Sequence, residues 1–300
     1  MAARKAALFL VLLAAHLPTA AQTLGPGYPD RYPPPLPVRR GPKPPPLTFS
    51  VSGEVPLLGP VSAAGAGLAN GRVVLHGPLG FVAVPLAPGE EVQATAAPPL
   101  AAHTDAEGWV YAPEGGWRYR TLPAGEVVAQ RWWGSRHGWR PRWSLRVGSG
   151  TPSPPVLVNG RLIFGALDDQ VYAVRADNGH RLWVTDVKDR VSRPLALWHG
   201  TFEIDGKPRE VDVVLVAPDD AITVQALDVF DGTRLASFSA EKLTQGSAIV
   251  SAPLVTEDGK IVVAHQGYAP EDASVLVLRL DPQEAAPAKA PPGEAPAAPL

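Results

Sequence analysis

Two pairs of adjacent carboxylates are the side chains of this sequence that could carry out acid–base chemistry. They are Asp168 with Asp169 and Asp219 with Asp220. Two neighbouring carboxylates can act as general acid and general base when their surroundings separate their pKa values. Both pairs, however, lie at the same point of two similar units of sequence, and aspartate side chains also cap tight turns. We therefore expect both pairs to form turns, and we predict no catalytic residue and no enzyme activity.

The sequence likewise gives no sign of a metal-binding site. The seven histidines include no pair at the His-x-His or His-x-x-x-His spacing that lets neighbouring side chains share a metal ion: His16, His76, His103, His137, His180, His199 and His265. The sequence has no cysteine, which excludes disulfides, thiolate ligands, catalytic thiols and a lipid on an amino-terminal cysteine. We predict no metal site.

Tryptophan and arginine are concentrated in one segment. Six of the eight tryptophans lie between residues 109 and 147, and no acidic residue occurs from 127 to 167. Residues 131–142 hold the candidates for a binding surface: Arg131, Trp132, Trp133, Arg136, Trp139, Arg140 and Arg142. These two residue types are enriched at binding hot spots. They could instead fasten the segment to its own domain through cation–π contacts, and both interpretations stay open.

The elements that must position these side chains are short strands. Residues 153–184 contain four apolar segments separated by Asn159-Gly160, an aspartate-rich turn and Asn178-Gly179. Asn-Gly supplies the positive φ angles that two-residue hairpin turns require. A repeated four-stranded meander of about 40 residues is typical of a β-propeller blade.

Five such units can be aligned. Their first strands contain Pro60, Pro99, Pro155, Pro194 and Pro253, at spacings of 39, 56, 39 and 59 residues. The two long spacings predict insertions. Residues 131–142 fall in the first and are expected to project as a loop, and residues 197–210 in the second are expected to form an extra hairpin.

The fifth unit has no fourth strand, whereas residues 47–51 precede the first unit as a spare strand. Lending that strand to the last unit would close a ring and remove an exposed edge. We predict an all-β protein, a β-propeller of four-stranded antiparallel blades closed by an N-terminal strand. Five blades are recognisable, and one or two degenerate blades stay open. Helical periodicity is nearly absent, and only residues 239–243 suggest a turn.

The sequence outside the propeller is of three kinds. Residues 1–21 combine a cationic start, an apolar run and small residues before Gln22, which predicts a signal peptide cleaved after Ala21. Residues 22–46 are a proline-rich disordered linker, residues 47–281 the propeller and residues 282–300 a disordered Ala/Pro-rich tail. We expect a periplasmic or secreted protein without a transmembrane segment in the mature chain.

The segments 153–165 and 170–183 resemble the PQQ-like β-propeller repeat of quinoprotein dehydrogenases and of the propeller lipoprotein of outer-membrane protein assembly. The resemblance implies that the fourth-strand tryptophans, Trp143 and Trp183, dock against neighbouring blades as structural residues. Quinoprotein chemistry in that family uses PQQ, a vicinal disulfide and Ca²⁺. Without cysteine, and without a calcium loop, we expect no cofactor, PQQ included.

We therefore predict a non-catalytic, exported propeller that acts as a protein-interaction scaffold in the cell envelope. Outer-membrane or envelope assembly is the role considered for such a scaffold. Membrane association would then depend on an envelope protein partner, and a net charge of −2 gives no case for nucleic acid. The ligand classes considered for the Trp/Arg segment are an acidic protein segment, a glycan and lipid headgroups. The alternative is a cofactor-binding or quinoprotein-like oxidoreductase that has lost the disulfide and calcium features. One lobe of a larger propeller is a third possibility.

Overall fold

The computed structural model describes residues 43–56, 66–69, 72–77, 80–85, 103–104, 107–113, 115–204, 207–219, 222–243, 248–267 and 273–283. Within these residues the regular elements are β-strands and one 3₁₀ turn, Ala240–Lys242. The all-β prediction is confirmed, and the 3₁₀ turn lies inside the predicted turn 239–243. The predicted signal peptide, the linker up to residue 42 and the tail from residue 284 lie outside the described residues.

The strands form five antiparallel sheets. In chain order the first strands are β1 (Leu47–Pro56), β2 (Ala66–Ala69), β3 (Arg72–Gly77), β4 (Gly80–Pro85), β5 (His103–Thr104), β6 (Val110–Tyr111), β7 (Trp117–Leu122), β8 (Glu126–Trp132) and β9 (Trp139–Arg146). The next are β10 (Val156–Val158), β11 (Arg161–Gly165), β12 (Gln170–Arg175), β13 (Arg181–Asp186), β14 (Ala196–Ile204), β15 (Lys207–Val216), β16 (Thr223–Asp228) and β17 (Arg234–Ser239). The last are β18 (Ala248–Ile249), β19 (Leu254–Val255), β20 (Ile261–Gln266) and β21 (Ala273–Pro282).

Consecutive strands are neighbours in the sheets β2–β4, β5–β9, β10–β13 and β14–β17. This meander is the connectivity of propeller blades, and the prediction of a propeller built from such blades is confirmed. The turn chemistry agrees. Asn159 and Gly160 connect β10 to β11 with φ angles of 48° and 68°, which is the pair of positive angles that favours Asn-Gly in two-residue hairpins.

The N-terminal strand completes the last sheet. β1 pairs with β21 along its whole length, from Leu47 opposite Pro282 to Pro56 opposite Ser274. β20 pairs with the other side of β21, and both β18 and β19 pair with β20. The predicted donation of an N-terminal strand is confirmed, whereas closure of the ring between this sheet and β2–β4 stays a prediction.

A bulge recurs at the same place in four sheets. The register shifts beside Ala129 opposite Trp143, beside Ala173 opposite Trp183 and beside Ala226 opposite Ala236. In the last sheet the shift falls between Val51 and Gly53 of β1, with Gly53 opposite Val277. The bulge therefore identifies β9, β13, β17 and β1 as equivalent fourth strands, although β1 comes from the other end of the sequence.

The hydrophobic core lies between sheets, because alternate side chains of a strand point to opposite faces. Leu162 and Phe164 of β11 join a buried cluster with Tyr119 of the preceding sheet. Ile163 points the other way and joins a cluster with Val214 of the following sheet. A third cluster packs β14–β17 against the last sheet. The β5–β9, β10–β13, β14–β17 and last sheets thus bury apolar residues against one another.

The expectation of a projecting loop at residues 131–142 is wrong, whereas residues 197–210 do form a hairpin. β8 and β9 pair from Glu126 opposite Arg146 to Trp132 opposite Trp139, so that only residues 133–138 form a connection instead of a projecting loop. β14 and β15 pair from residues 196 and 215 to residues 204 and 207, which makes an elongated first hairpin and not an additional one. In both cases the extra residues continue a ladder, since pairing satisfies backbone groups that a loop would leave to solvent.

Candidate interaction surface

The seven candidate residues lie on the hairpin of β8 and β9, which we call the Trp–Arg hairpin (residues 126–146). Two end β8, three belong to β9 and two lie in the connecting turn: Arg131 and Trp132, then Trp139, Arg140 and Arg142, then Trp133 and Arg136. Arg136, Arg140 and Arg142 are exposed, and the other four are half-buried. The structure therefore brings all seven to one end of one sheet.

Trp132 and Trp139 form the centre of this surface. They are direct cross-strand partners, and their rings meet edge to face with centroids 5.4 Å apart and an interplanar angle of 61°. Together with Gly115 and Gly116 they line an open recess of about 350 Å³. The two glycines add no side chains that would fill the recess. A flat apolar ligand would therefore find a binding surface that is already formed.

Arg118 of β7 holds Trp139 in place. Its guanidinium carbon lies 4.1 Å from the ring centroid of Trp109 and 4.6 Å from that of Trp139. Its Nε and Nη2 both donate to Gln130 Oε1, at 2.9 and 2.7 Å. Tyr111 adds an edge-to-face contact with Trp139 at 5.8 Å. Because Trp139 is fixed on two sides before any ligand arrives, binding would lose little side-chain entropy.

Sequence reasoning missed the residues that support this surface: Tyr111, Gly115, Gly116, Arg118 and Gln130. A signal for Arg118 was present, because residues 117–120 alternate aromatic and arginine side chains, and β7 indeed alternates buried with half-buried positions. Alternation places Arg118 and Arg120 on the face opposite to Trp117 and Tyr119. Its partner Gln130 depends on the register between β7 and β8, which one sequence does not determine.

The surface is cationic. Arg131 and Arg140 are cross-strand partners, an arrangement of like charges that is unfavourable unless the side chains diverge. They do diverge: Arg131 lies 5.7 Å from the ring centroid of Trp117, and Arg140 Nε donates to His137 O at 3.1 Å. The exposed guanidinium groups of this end of the sheet therefore face solvent in a stretch of sequence without carboxylates, a field that attracts an anionic ligand.

Trp143 and Trp183 occupy equivalent places in successive sheets. Trp143 Nε1 donates to Ala176 O at 3.0 Å, and Trp183 Nε1 donates to Val229 O at 3.0 Å. Each acceptor is the first residue after the third strand of the next sheet. Trp143 points into this interface, away from the recess, although it lies only four residues from Trp139.

A family model described as outer membrane protein assembly factor BamB, one of the PQQ-like repeat models, matches residues 127–284 of this chain. The match begins in β8 and includes the strands up to β21. The chain belongs to the PQQ-like β-propeller repeat family. No curated protein sequence matches it.

Solved structures with a similar fold include glutaminyl cyclase from Myxococcus xanthus, which is 14% identical. The match covers 80% of this chain and 99% of that one, with a TM-score of 0.37. BamB from Moraxella catarrhalis is 13% identical, with coverages of 75% and 66% and a TM-score of 0.36. Quinohemoprotein alcohol dehydrogenase from Comamonas testosteroni is 13% identical, with coverages of 56% and 30% and a TM-score of 0.38. These scores are too low to carry an argument.

The described aspartates of the two adjacent pairs in this PQQ-like propeller stabilise turns. Asp168 Oδ2 accepts a hydrogen bond from Tyr172 Oη at 2.6 Å, and Asp169 has a φ of 65° in the turn itself. Burial raises the pKa of Tyr172 to about 12, and the bond to Asp168 acts in the same direction. Asp219 accepts from the backbone and hydroxyl of Ser192. Asp220 lies outside the described residues.

The described residues contain neither a candidate metal cluster nor a candidate membrane-spanning helix. In that part of the chain no three histidine, aspartate or glutamate side chains gather in a way that could hold a metal ion. The same residues include no helix of the length and apolar character needed to cross a bilayer.

Proposed function

We propose that this PQQ-like propeller is a non-catalytic, exported scaffold of the cell envelope and that it binds a protein partner through the Trp–Arg hairpin. The observation that carries the proposal is the recess between Trp132 and Trp139 within a cationic surface. The family model, described as outer membrane protein assembly factor BamB, supports a role in envelope assembly. The predicted signal peptide at residues 1–21 supports export.

The composition of the surface suits protein recognition. Tryptophan and arginine contribute the largest energies at protein interfaces, in clusters that are already packed before binding. Trp139 fits this description, since Arg118 and Tyr111 hold it on two sides. Arg136, Arg140 and Arg142 of the same hairpin are exposed, and exposed charges beside an apolar recess favour acidic partners and accelerate their association.

The test is a crosslinking capture from a native envelope fraction with three forms of the full chain. The first is unchanged, the second carries Trp132→Ala, Trp133→Ala and Arg140→Ala, and the third is a matched control. The control carries three alanines on the outer strand of the following sheet, at the exposed residues Arg181, Leu182 and Val184. Circular dichroism first checks that all three forms are folded.

We expect the unchanged chain and the control to capture the same specific partner. The second form should lose at least about 90% of it, since three tryptophan and arginine side chains of the hairpin are removed. Equal capture by all three forms would contradict a binding role for the hairpin. Capture of no specific partner by any form would contradict the scaffold and would favour a small-molecule ligand or an enzyme.

A further inference from the structure

The described chain ends at the face of the propeller that carries the tip of the Trp–Arg hairpin. In the last sheet, Pro282 at the end of β21 lies opposite Leu47 at the start of β1, and Gln283 N donates to Pro46 O at 2.8 Å. This pair of chain ends occupies the place of the turn between third and fourth strands. Lys43 Nζ lies 3.5 Å from Thr233 Oγ1, in the corresponding turn of the β14–β17 sheet.

The connection 133–138 is the corresponding turn of the β5–β9 sheet, because the recurring bulge equates β8 and β9 with β12 and β13. Equivalent turns of successive blades lie on one face of a propeller. Gln283, which precedes residues 284–300, therefore lies on the same face as Trp132 and Trp139.

The recess suits a proline-rich segment. Polyproline II helices dock on grooves lined by aromatic rings, because they are stiff before binding and lose little entropy. Residues 284–300 contain five prolines in seventeen positions, including Pro296 and Pro299 at the spacing of one turn of such a helix. In an extended polyproline conformation this length spans about 50 Å. A domain of this size is about 45 Å across, so the segment can reach any blade.

Charge distinguishes between the two proline-rich segments of the chain. Residues 22–42 carry one acidic and three basic side chains, whereas residues 284–300 carry Glu284 and Glu294 against Lys289. Residues 131–142 carry four arginines and no acidic residue. The cationic surface therefore attracts the C-terminal segment and repels the N-terminal one.

We propose that residues 284–300 dock in the recess between Trp132 and Trp139 and thereby compete with the partner of the propeller. The docking is independent of the proposed function, and only the competition rests on it.

The absence of cysteine provides the test, since Ala297→Cys creates a single attachment point in the full chain. A photo-reactive benzophenone is attached there, the dilute protein is irradiated, and mass spectrometry maps the crosslinks. We expect them to concentrate on residues 131–142. The matched control carries the same label at Thr23→Cys in the cationic proline-rich segment, and we expect it to give no such concentration.

A second labelled chain carries Glu284→Lys, Glu294→Lys, Pro296→Ala and Pro299→Ala. These changes do not touch the propeller, so they cannot unfold it, and we expect about fivefold fewer crosslinks to residues 131–142. An unchanged yield, or crosslinks spread evenly over the propeller, would overturn the proposal. A third outcome would also overturn the proposal. If the tail gives no crosslinks to residues 131–142 and added peptidoglycan fragments protect those residues from labelling, the recess binds a glycan.

The two proposals fail separately. Crosslinking of the tail uses no partner, so a docked tail together with an empty partner capture would contradict only the scaffold. Partner capture through the hairpin without tail crosslinks would contradict only the docking.

Discussion

The indole ring of Trp183 covers Gly232 of the following sheet so closely that a Cβ atom at residue 232 would lie 2.6 Å from ring carbon Cε3. Trp183 Nε1 also donates to Val229 O, three residues before this glycine. Trp143 repeats the arrangement over Gly179, where a Cβ atom would lie 2.8 Å from the ring. A fourth-strand tryptophan and a turn glycine of the next blade thus act as a pair.

Replacing Gly232 tests this pairing. Gly232→Ala forces a side chain into a φ of 72° and against the indole ring, and we expect a loss of about 2–5 kcal/mol in the free energy of unfolding. Gly108→Ala is the control, because Gly108 has a φ of 81° with no atom within 4 Å of the added Cβ. It should lose only about 1–2 kcal/mol. Denaturant unfolding measures both, and equal losses would contradict the pairing.

Trp198 connects the next pair of sheets in another way. The fourth strand of the β14–β17 sheet has Ala236 where the two preceding sheets have Trp143 and Trp183. Trp198 of β14 instead donates from Nε1 to Gly259 O of the last sheet at 2.7 Å. Trp198→Phe keeps most of the apolar contact and removes the donor. We expect a loss of about 1 kcal/mol in the free energy of unfolding, because the partly buried carbonyl oxygen of Gly259 loses its hydrogen bond.

The control for this substitution is Trp132→Phe on the open recess, which should change the free energy of unfolding by less than about 0.5 kcal/mol. Thermal and denaturant unfolding of both variants give the comparison. A loss at Trp198 no larger than that at Trp132 would show that the hydrogen bond to Gly259 contributes nothing.

Donation of β1 predicts an asymmetry between two deletions. Removing residues 22–42 leaves β1 intact and should leave the unfolding transition unchanged. Removing residues 22–56 deletes the partner of β21, exposes that strand edge and removes Leu47 from the core that it shares with the β14–β17 sheet. We expect this shorter chain to lose its cooperative transition and to aggregate. A synthetic peptide of residues 43–56 should restore the transition. Full stability of the chain that lacks residues 22–56, in the absence of the peptide, would contradict the donation.

Much of the fold could be predicted because the signals are local. Asn159 and Gly160 determine a two-residue turn by their φ preferences, and the missing fourth strand of the last unit indicated the role of residues 47–51. The Trp–Arg hairpin was harder. The long spacing between Pro99 and Pro155 suggested a projecting loop, whereas the pairing of Trp132 with Trp139 depends on the register of β8 and β9. The recess also requires Gly115 and Gly116 from another turn, a juxtaposition that a single sequence does not contain.

The last prediction concerns alkaline pH. Burial, reinforced by the hydrogen bond to Asp168, raises the pKa of Tyr172 from 10.0 to about 12. The neutral phenol is therefore favoured in the folded state, so its contribution to stability is complete below pH 10 and is lost as the pH rises from 10 to 12. Tyr172→Phe should flatten the pH dependence of the free energy of unfolding in this window and should remove one tyrosine that ionises above pH 10 from an ultraviolet titration. Phe164, which stacks on Tyr172 with ring centroids 5.5 Å apart, keeps an aromatic partner in the variant, so packing is preserved. An identical slope in both proteins between pH 10 and 12 would mean that Tyr172 ionises as freely in the folded chain as in the unfolded one.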